Sequence, residues 1–132
     1  MTEVVRCEDS DEWNSRVVEL GGHPLQLWGW GDVKAAHGWK AVRLMVKEAE
    51  EISGLAQILV RPLPAPFKAL AYIPRGPVCN QQKREGVLAA LAGYAKSTIG
   101  AVALTIEPDW ENDFEMPGWQ KSSNTILVPR TV

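Results

Sequence analysis

Three apolar runs follow one another between Trp39 and Pro74, and their succession constrains the fold more than any other feature. "WKAVRLMVKE" and "ISGLAQILVRPLP" alternate or run apolar over strand lengths. The acidic "KEAEEISG" where they meet is a polar turn, so the two predict a hairpin. "FKALAYIP" is a third strand, entered through "RPLPAPF", whose prolines hold the connection stiff and extended. "NQQKREGVLAALAGYAKSTIG" then changes the period: Val87 or Leu88, Leu91, and Tyr94 or Ala95 recur at helical spacing. Asn80 is the expected cap of this helix and Gly100 its end. "AVALTIEP" returns to strand and is apolar enough to lie centrally in a sheet.

The flanks are helical at the start and mixed at the end. Asp9 with Glu12 three residues later predicts a helix start of capping-box type. Trp13, Val17 and Leu20 share one face, and Gly21-Gly22 stops the helix. "PLQLWGWGDVKAAHGWK" reads as a loop and a short helix over 28–37, stopped by Gly38. Trp30, Val33 and His37 share a face there, and Lys34 can lie beside the Trp30 ring. "DWENDFEMPGW" predicts a short helix or turn, and "SNTILVPRT" begins a last strand. The order is helix, helix, three strands, helix, strand, short helix, strand. It predicts an α/β (α+β) fold: a mixed, mostly antiparallel sheet with helices on both faces. That order resembles the GNAT acyltransferase fold.

Composition narrows the function. The 132 residues are enough for one compact domain, 1–132. A net charge of −2 with no basic stripe argues against specific DNA binding. No stretch approaches the roughly 18 consecutive apolar residues of a membrane helix. The acidic "MTEVVRCEDSDEW" has no signal-peptide layout, so the cytoplasm is the expected compartment. Cys7 and Cys79 lack a CxxC neighbour and read as two free thiols. His23 and His37 have no ligating partner at workable spacing, so no metal is assigned.

"YIPRGPV" places one guanidinium between two prolines. Pro74 fixes its own φ and pushes Ile73 to an extended shape, and Pro77 restricts Gly76. The clamp lowers the disorder of the backbone that presents Arg75. A guanidinium held this way suits two-pronged binding of phosphate or carboxylate. The competing reading is a strand terminator whose arginine pairs with a local acid. The prolines also remove the backbone donors that a pyrophosphate loop for coenzyme A needs.

"LWGWGDVKAAHGWKAVRL", "AQILVRPLPAPFKALAYIPRGPV", "LTIEPDW" and "ILVPRT" together resemble the Fem family (FemA, FemB, FemX) of peptidoglycan-bridge aminoacyltransferases. They occur in the family's order, from about Gln26 to Thr131. The resemblance implies a transferase that moves an amino acid from aminoacyl-tRNA to the stem peptide of a nucleotide- or lipid-linked muramyl peptide. It implies no cofactor, since aminoacyl-tRNA is the donor substrate. It implies two GNAT-like halves, of which this chain matches the first. The aminoacyl-tRNA site would then lie largely in the other half, the fragment alone would be inactive, and its uncovered surface would make it self-associate. A place at the inner face of the membrane follows from a lipid-linked acceptor.

Family positions carry over residue by residue. Lys34, in "WGWGDVK", matches a lysine that contacts the precursor's diphosphate; a solvated helix lysine is the alternative. Arg75 falls where the family tolerates either basic residue. Glu107, in "TIEPDW", matches a carboxylate considered as a base for the attacking amine, and Asp109 is a weaker candidate. A structural salt bridge at Glu107 is the rival reading. Tyr72 and Trp30 are candidates for stacking on a sugar or uracil ring, against core packing. A tyrosine that some members carry on the strand before "IEP" is replaced here by "AVA". Two other functions stay open: a coenzyme A-dependent GNAT N-acetyltransferase and a non-catalytic binding module.

Overall fold

The computed structural model describes residues 2–108, 110, 118–121 and 127–129. Strand β1 (Thr2–Arg6) leads into helix α1 (Ser10–Glu19), and a 3-10 turn (Pro24–Gln26) precedes helix α2 (Trp28–Ala35). Strands β2 (Lys40–Glu48), β3 (Glu51–Pro62), β4 (Ala69–Pro74) and β5 (Val78–Cys79) follow. A 3-10 turn (Gln81–Lys83), helix α3 (Arg84–Tyr94) and a π-helical turn (Ala95–Ile99) lead to β6 (Ala101–Glu107). Short strands β7 (Trp119–Lys121) and β8 (Leu127–Pro129) complete the described elements.

The strands form one mixed sheet in the order β1-β2-β3-β4-β6-β8-β7, with β5 pairing to β3 beside β4. Among the described strands only β4 and β6 run parallel, as the α3 crossover between them requires. The expected hairpin is present, but its turn is only Ala49-Glu50; Glu48 already pairs with Glu51. The acidic residues around it lie in the strands. β1 was not expected. Its "TEVVR" is too short and too charged to stand out, yet it pairs along β2 from Arg6↔Leu44 to Thr2↔Glu48.

Strand alternation divides the core between the two faces. Leu44, Val46, Ala56, Ile58, Ala71, Ile73, Leu104 and Ile106 pack with Val87, Leu88 and Leu91 of α3. Met45, Leu55 and Val78 face the other way, onto Trp13 and Val17 of α1. Helices therefore cover both faces, as the sequence order predicts. Tyr72, Thr105 and Glu107 alternate onto the α1/α2 side.

The caps are met in part. The Asp9 carboxylate accepts from the backbone N–H groups of Asp11 and Glu12. Gly38 (φ 90) and Gly100 (φ 75) adopt the left-handed turns expected after α2 and α3. Asn80 does not cap with its side chain; its carbonyl accepts from Lys83 N–H in the 3-10 turn instead. The turn or helix expected in "DWENDFEMPGW" lies outside the described residues apart from Trp110, Gly118 and Trp119.

Candidate active site at the end of the parallel strand pair

The "PRGP" stretch is a bulge inside one long strand edge. Tyr72 of β4 pairs with Leu59 of β3, and Val78 of β5 pairs with Leu55. Residues 56–58 of β3 thus face residues 73–77, three against five. The two extra residues leave the β3 backbone short of partners at Gln57.

Gln26 fills that gap. Its fully buried side chain accepts from Gln57 N–H at 2.7 Å and donates to the carbonyl of Pro74 at 2.5 Å and of Gln57 at 3.4 Å. One carboxamide stands in for a missing ladder residue, and the buried backbone groups are paired. Gly76 permits the approach, because a Cβ there would lie 3.0 Å from Gln26 Cδ and from Ile73 Cγ2. The Gln26 carbonyl in turn accepts from Trp13 Nε1 at 2.7 Å. Gln57 continues the network. Its amide donates to Leu27 O at 2.8 Å, and its Oε1 accepts from Arg43 Nε at 2.9 Å. Arg43 lies over the Trp28 ring at 3.5 Å and reaches Asp32 at 3.2 Å. Burial pulls the Arg43 guanidinium below its ordinary value, opposed by Asp32. None of Gln26, Gln57 or Arg43 was singled out from the sequence. A lone glutamine between leucines in "LQLW" was the available signal.

The bulge aims Arg75. Its backbone is left-handed, φ 54, a conformation that non-glycine residues adopt at a cost of about 1 kcal/mol. Its Nε lies 3.4 Å from Glu107 Oε1, and the two side chains are 44% and 25% exposed. Glu107 is in register with Pro74 across the parallel pair, and Tyr72 with Thr105. The Tyr72 hydroxyl is pushed above its ordinary value by burial, then by the charge of Glu107 and a hydrogen bond to it, with Arg75 opposing. Three of the sequence candidates, Tyr72, Arg75 and Glu107, therefore meet where β4 and β6 end. The salt bridge anticipated as the rival role for Glu107 is present, and the carboxylate is still open to solvent.

Lys34 and Trp30 sit apart from this trio. Lys34 Nζ lies over the Trp30 ring, 5.1 Å from its centroid, as the spacing predicts. Neither makes a hydrogen bond, ion pair or ring contact to Tyr72, Arg75 or Glu107 among the described residues. The expected apolar face of α2 is not the buried one: Val33 is 52% exposed and His37 is exposed. Gly31 is buried instead, because a Cβ there would collide with the Gln57 carboxamide and Arg43 Nη2. Asp109 lies outside the described residues. Both cysteines are free, and burial pushes the Cys79 thiol up to about 11 against the opposing Arg84.

The sequence pattern of the FemAB family matches residues 8–125. The chain belongs to the FemAB family. It is 38% identical over 95 residues to a lipid II:glycine glycyltransferase of Staphylococcus epidermidis, covering 70% of this chain and 23% of that protein. It is 39% identical over 95 residues to the protein of the same name from Staphylococcus aureus (strain MRSA252), covering 70% of this chain and 22% of that protein. A crystal structure of FemX superposes with a TM-score of 0.64 at 30% identity, covering 83% of this chain and 28% of FemX. This FemAB-family chain thus spans about a quarter of the length of the relatives it matches. No described helix is long and apolar enough to cross a membrane.

Proposed function

We propose that this FemAB-family chain is the precursor-binding part of an aminoacyltransferase acting in peptidoglycan bridge synthesis. The observation that carries the proposal is the meeting of Tyr72, Arg75 and Glu107 at the carboxyl end of the parallel pair, within a chain of this family. The names of the relatives support lipid II as acceptor and glycine as the transferred residue. The donor is aminoacyl-tRNA, and the place is the inner face of the membrane.

In the transfer, an amine nitrogen of the stem peptide attacks an ester carbonyl. The ester C–O bond breaks, and the nitrogen gives up a proton. Glu107 accepts the hydrogen bond of the incoming amine, takes its proton and passes it to the departing ribose oxygen, which leaves as a hydroxyl. Tyr72 and Arg75 fix the carboxylate so that its free lone pair faces the cleft. Lys34, held over Trp30, supplies a point charge for the precursor's diphosphate.

The test is a calorimetric titration of the chain with nucleotide-linked muramyl pentapeptide. Lys34→Ala is expected to weaken binding about tenfold, the worth of one charge-assisted hydrogen bond. An affinity unchanged by Lys34→Ala would remove its phosphate role. Absence of binding to the parent chain would remove the precursor-binding assignment.

A further inference from the structure

Arg75 also lines a cavity of about 230 Å³. Its lining comes from three stretches of chain, Leu20–His23, Arg75 with Pro77–Cys79, and Gln81 with Arg84, together with Trp110. Every polar side chain described in the lining has a proton to give. Arg75 and Arg84 bring two guanidiniums and Gln81 a carboxamide. His23 Nδ1 accepts from Leu25 N–H at 3.1 Å, which leaves the ring proton on Nε2 as a donor. The Cys79 thiol keeps its proton, since burial holds it up to about 11. No carboxylate is among the described lining residues, in a chain of net charge −2.

Arg84 is the least explained of these groups. Its guanidinium lies over the Trp110 ring, 4.2 Å from the centroid, which fixes its plane. Its Nε is buried without a hydrogen-bond partner, and no described carboxylate pairs with it. A buried donor left unpaired is unfavourable, so an arginine held this way points to a missing acceptor.

We propose that this cavity is an oxyanion site that takes one phosphate group, with Arg84 as its principal ligand and Arg75, His23 and Gln81 as further donors. Two guanidiniums lining one cavity suit a tetrahedral anion with several acceptor oxygens. The volume admits a phosphate group. Arg75 then serves two sites, pairing with Glu107 on one side and facing the anion on the other. The assignment of that phosphate to a substrate rests on the transferase reading; the anion site itself does not.

Inorganic phosphate is the probe, titrated into the chain and followed by calorimetry and amide chemical shifts. Shifts are expected at Gly21, Gly22, Gln81 and Arg84. Arg84→Gln should weaken binding about tenfold or more. Gln81→Glu, at an exposed position that tolerates the change, should abolish binding by placing a negative charge at the mouth. Lys96→Gln, away from the cavity, should leave it unchanged. Failure of the parent to bind phosphate, or binding indifferent to both Arg84→Gln and Gln81→Glu, overturns the site. Competition then separates the sources. Displacement by a nucleotide-diphosphate sugar assigns the phosphate to the acceptor substrate, and displacement by a short RNA ending in CCA assigns it to the donor. Displacement by neither means an adventitious ion only and overturns the substrate role. Phosphate binding should persist in Lys34→Ala, so loss of the precursor-binding reading and loss of this site are separate results.

Discussion

Gln26 shows how one side chain can decide the shape of a site it does not enter. Its carboxamide pairs Gln57 on β3 with Pro74 on the bulge, so it fixes where Arg75 begins. Gln26→Leu keeps the volume and removes every one of these bonds. The variant is expected to lose about 3 kcal/mol in chemical denaturation, since the backbone groups of Gln57 and Pro74 are left unpaired in the interior. A loss under 1 kcal/mol would mean that water replaces the amide. Tyr72 gives a second test at this scale. Its folded value lies above the ordinary 10.0, so its contribution to stability is complete below that pH and is lost as pH rises through the folded value. Glu107→Gln removes the negative charge and leaves Arg75 opposing alone. The Tyr72 titration, followed by ultraviolet absorbance, should then move down; an unchanged titration would show that burial alone sets it. Arg75 was legible as a candidate because a proline clamp leaves a mark in sequence, and Tyr72 and Glu107 because their motifs resemble those of the Fem family. Gln26, Gln57, Arg43 and Arg84 were not, because a polar residue is made interesting by what it faces.

At the scale of elements, the strands, α1, α2 and α3 are close to what apolar spacing dictates. The interruptions are less so. β4 and β5 are one strand edge broken by the bulge, which a reading of "YIPRGPV" as a strand exit does not contain. β5 is short, and its pairing depends on Gly54, where a Cβ would lie 2.9 Å from Cys79 Cβ and from the Val78 carbonyl oxygen. Gly54→Ala is therefore expected to push β5 off β3, at about 1–3 kcal/mol. It should also expose the Cys79 thiol, and faster labelling of Cys79 by a thiol reagent is the measurement. Labelling as slow as in the parent would show that β5 stays docked. β1 was missed for the opposite reason: its five residues carry little signal, and it is a strand because β2 offers an open edge.

At the scale of the molecule, helices on both faces leave part of the sheet uncovered. Leu70 and Val102 are 38% and 45% exposed where β4 and β6 begin, and Phe67 is 59% exposed just before β4. Exposed apolar residues gathered at one end of a sheet favour association. Concentration-dependent dimers are expected in sedimentation, and Leu70→Ser should weaken them; a monomer at high concentration would refute this. The sequence by itself determined the fold class, the central place of β6, the crossover and three members of the candidate site. The elements and Arg75 follow from local rules, apolar period and proline geometry, and Tyr72 and Glu107 from the resemblance of their motifs to the family's. Only the tertiary structure decided that "PRGP" is a bulge plugged by Gln26, that Arg75 turns left-handed between Glu107 and a cavity, and that Lys34 stands apart from them. These depend on residues 31 and 48 positions apart in sequence meeting in the interior. There an unpaired amide or guanidinium is unfavourable enough to fix the partner, and no local spacing records that requirement.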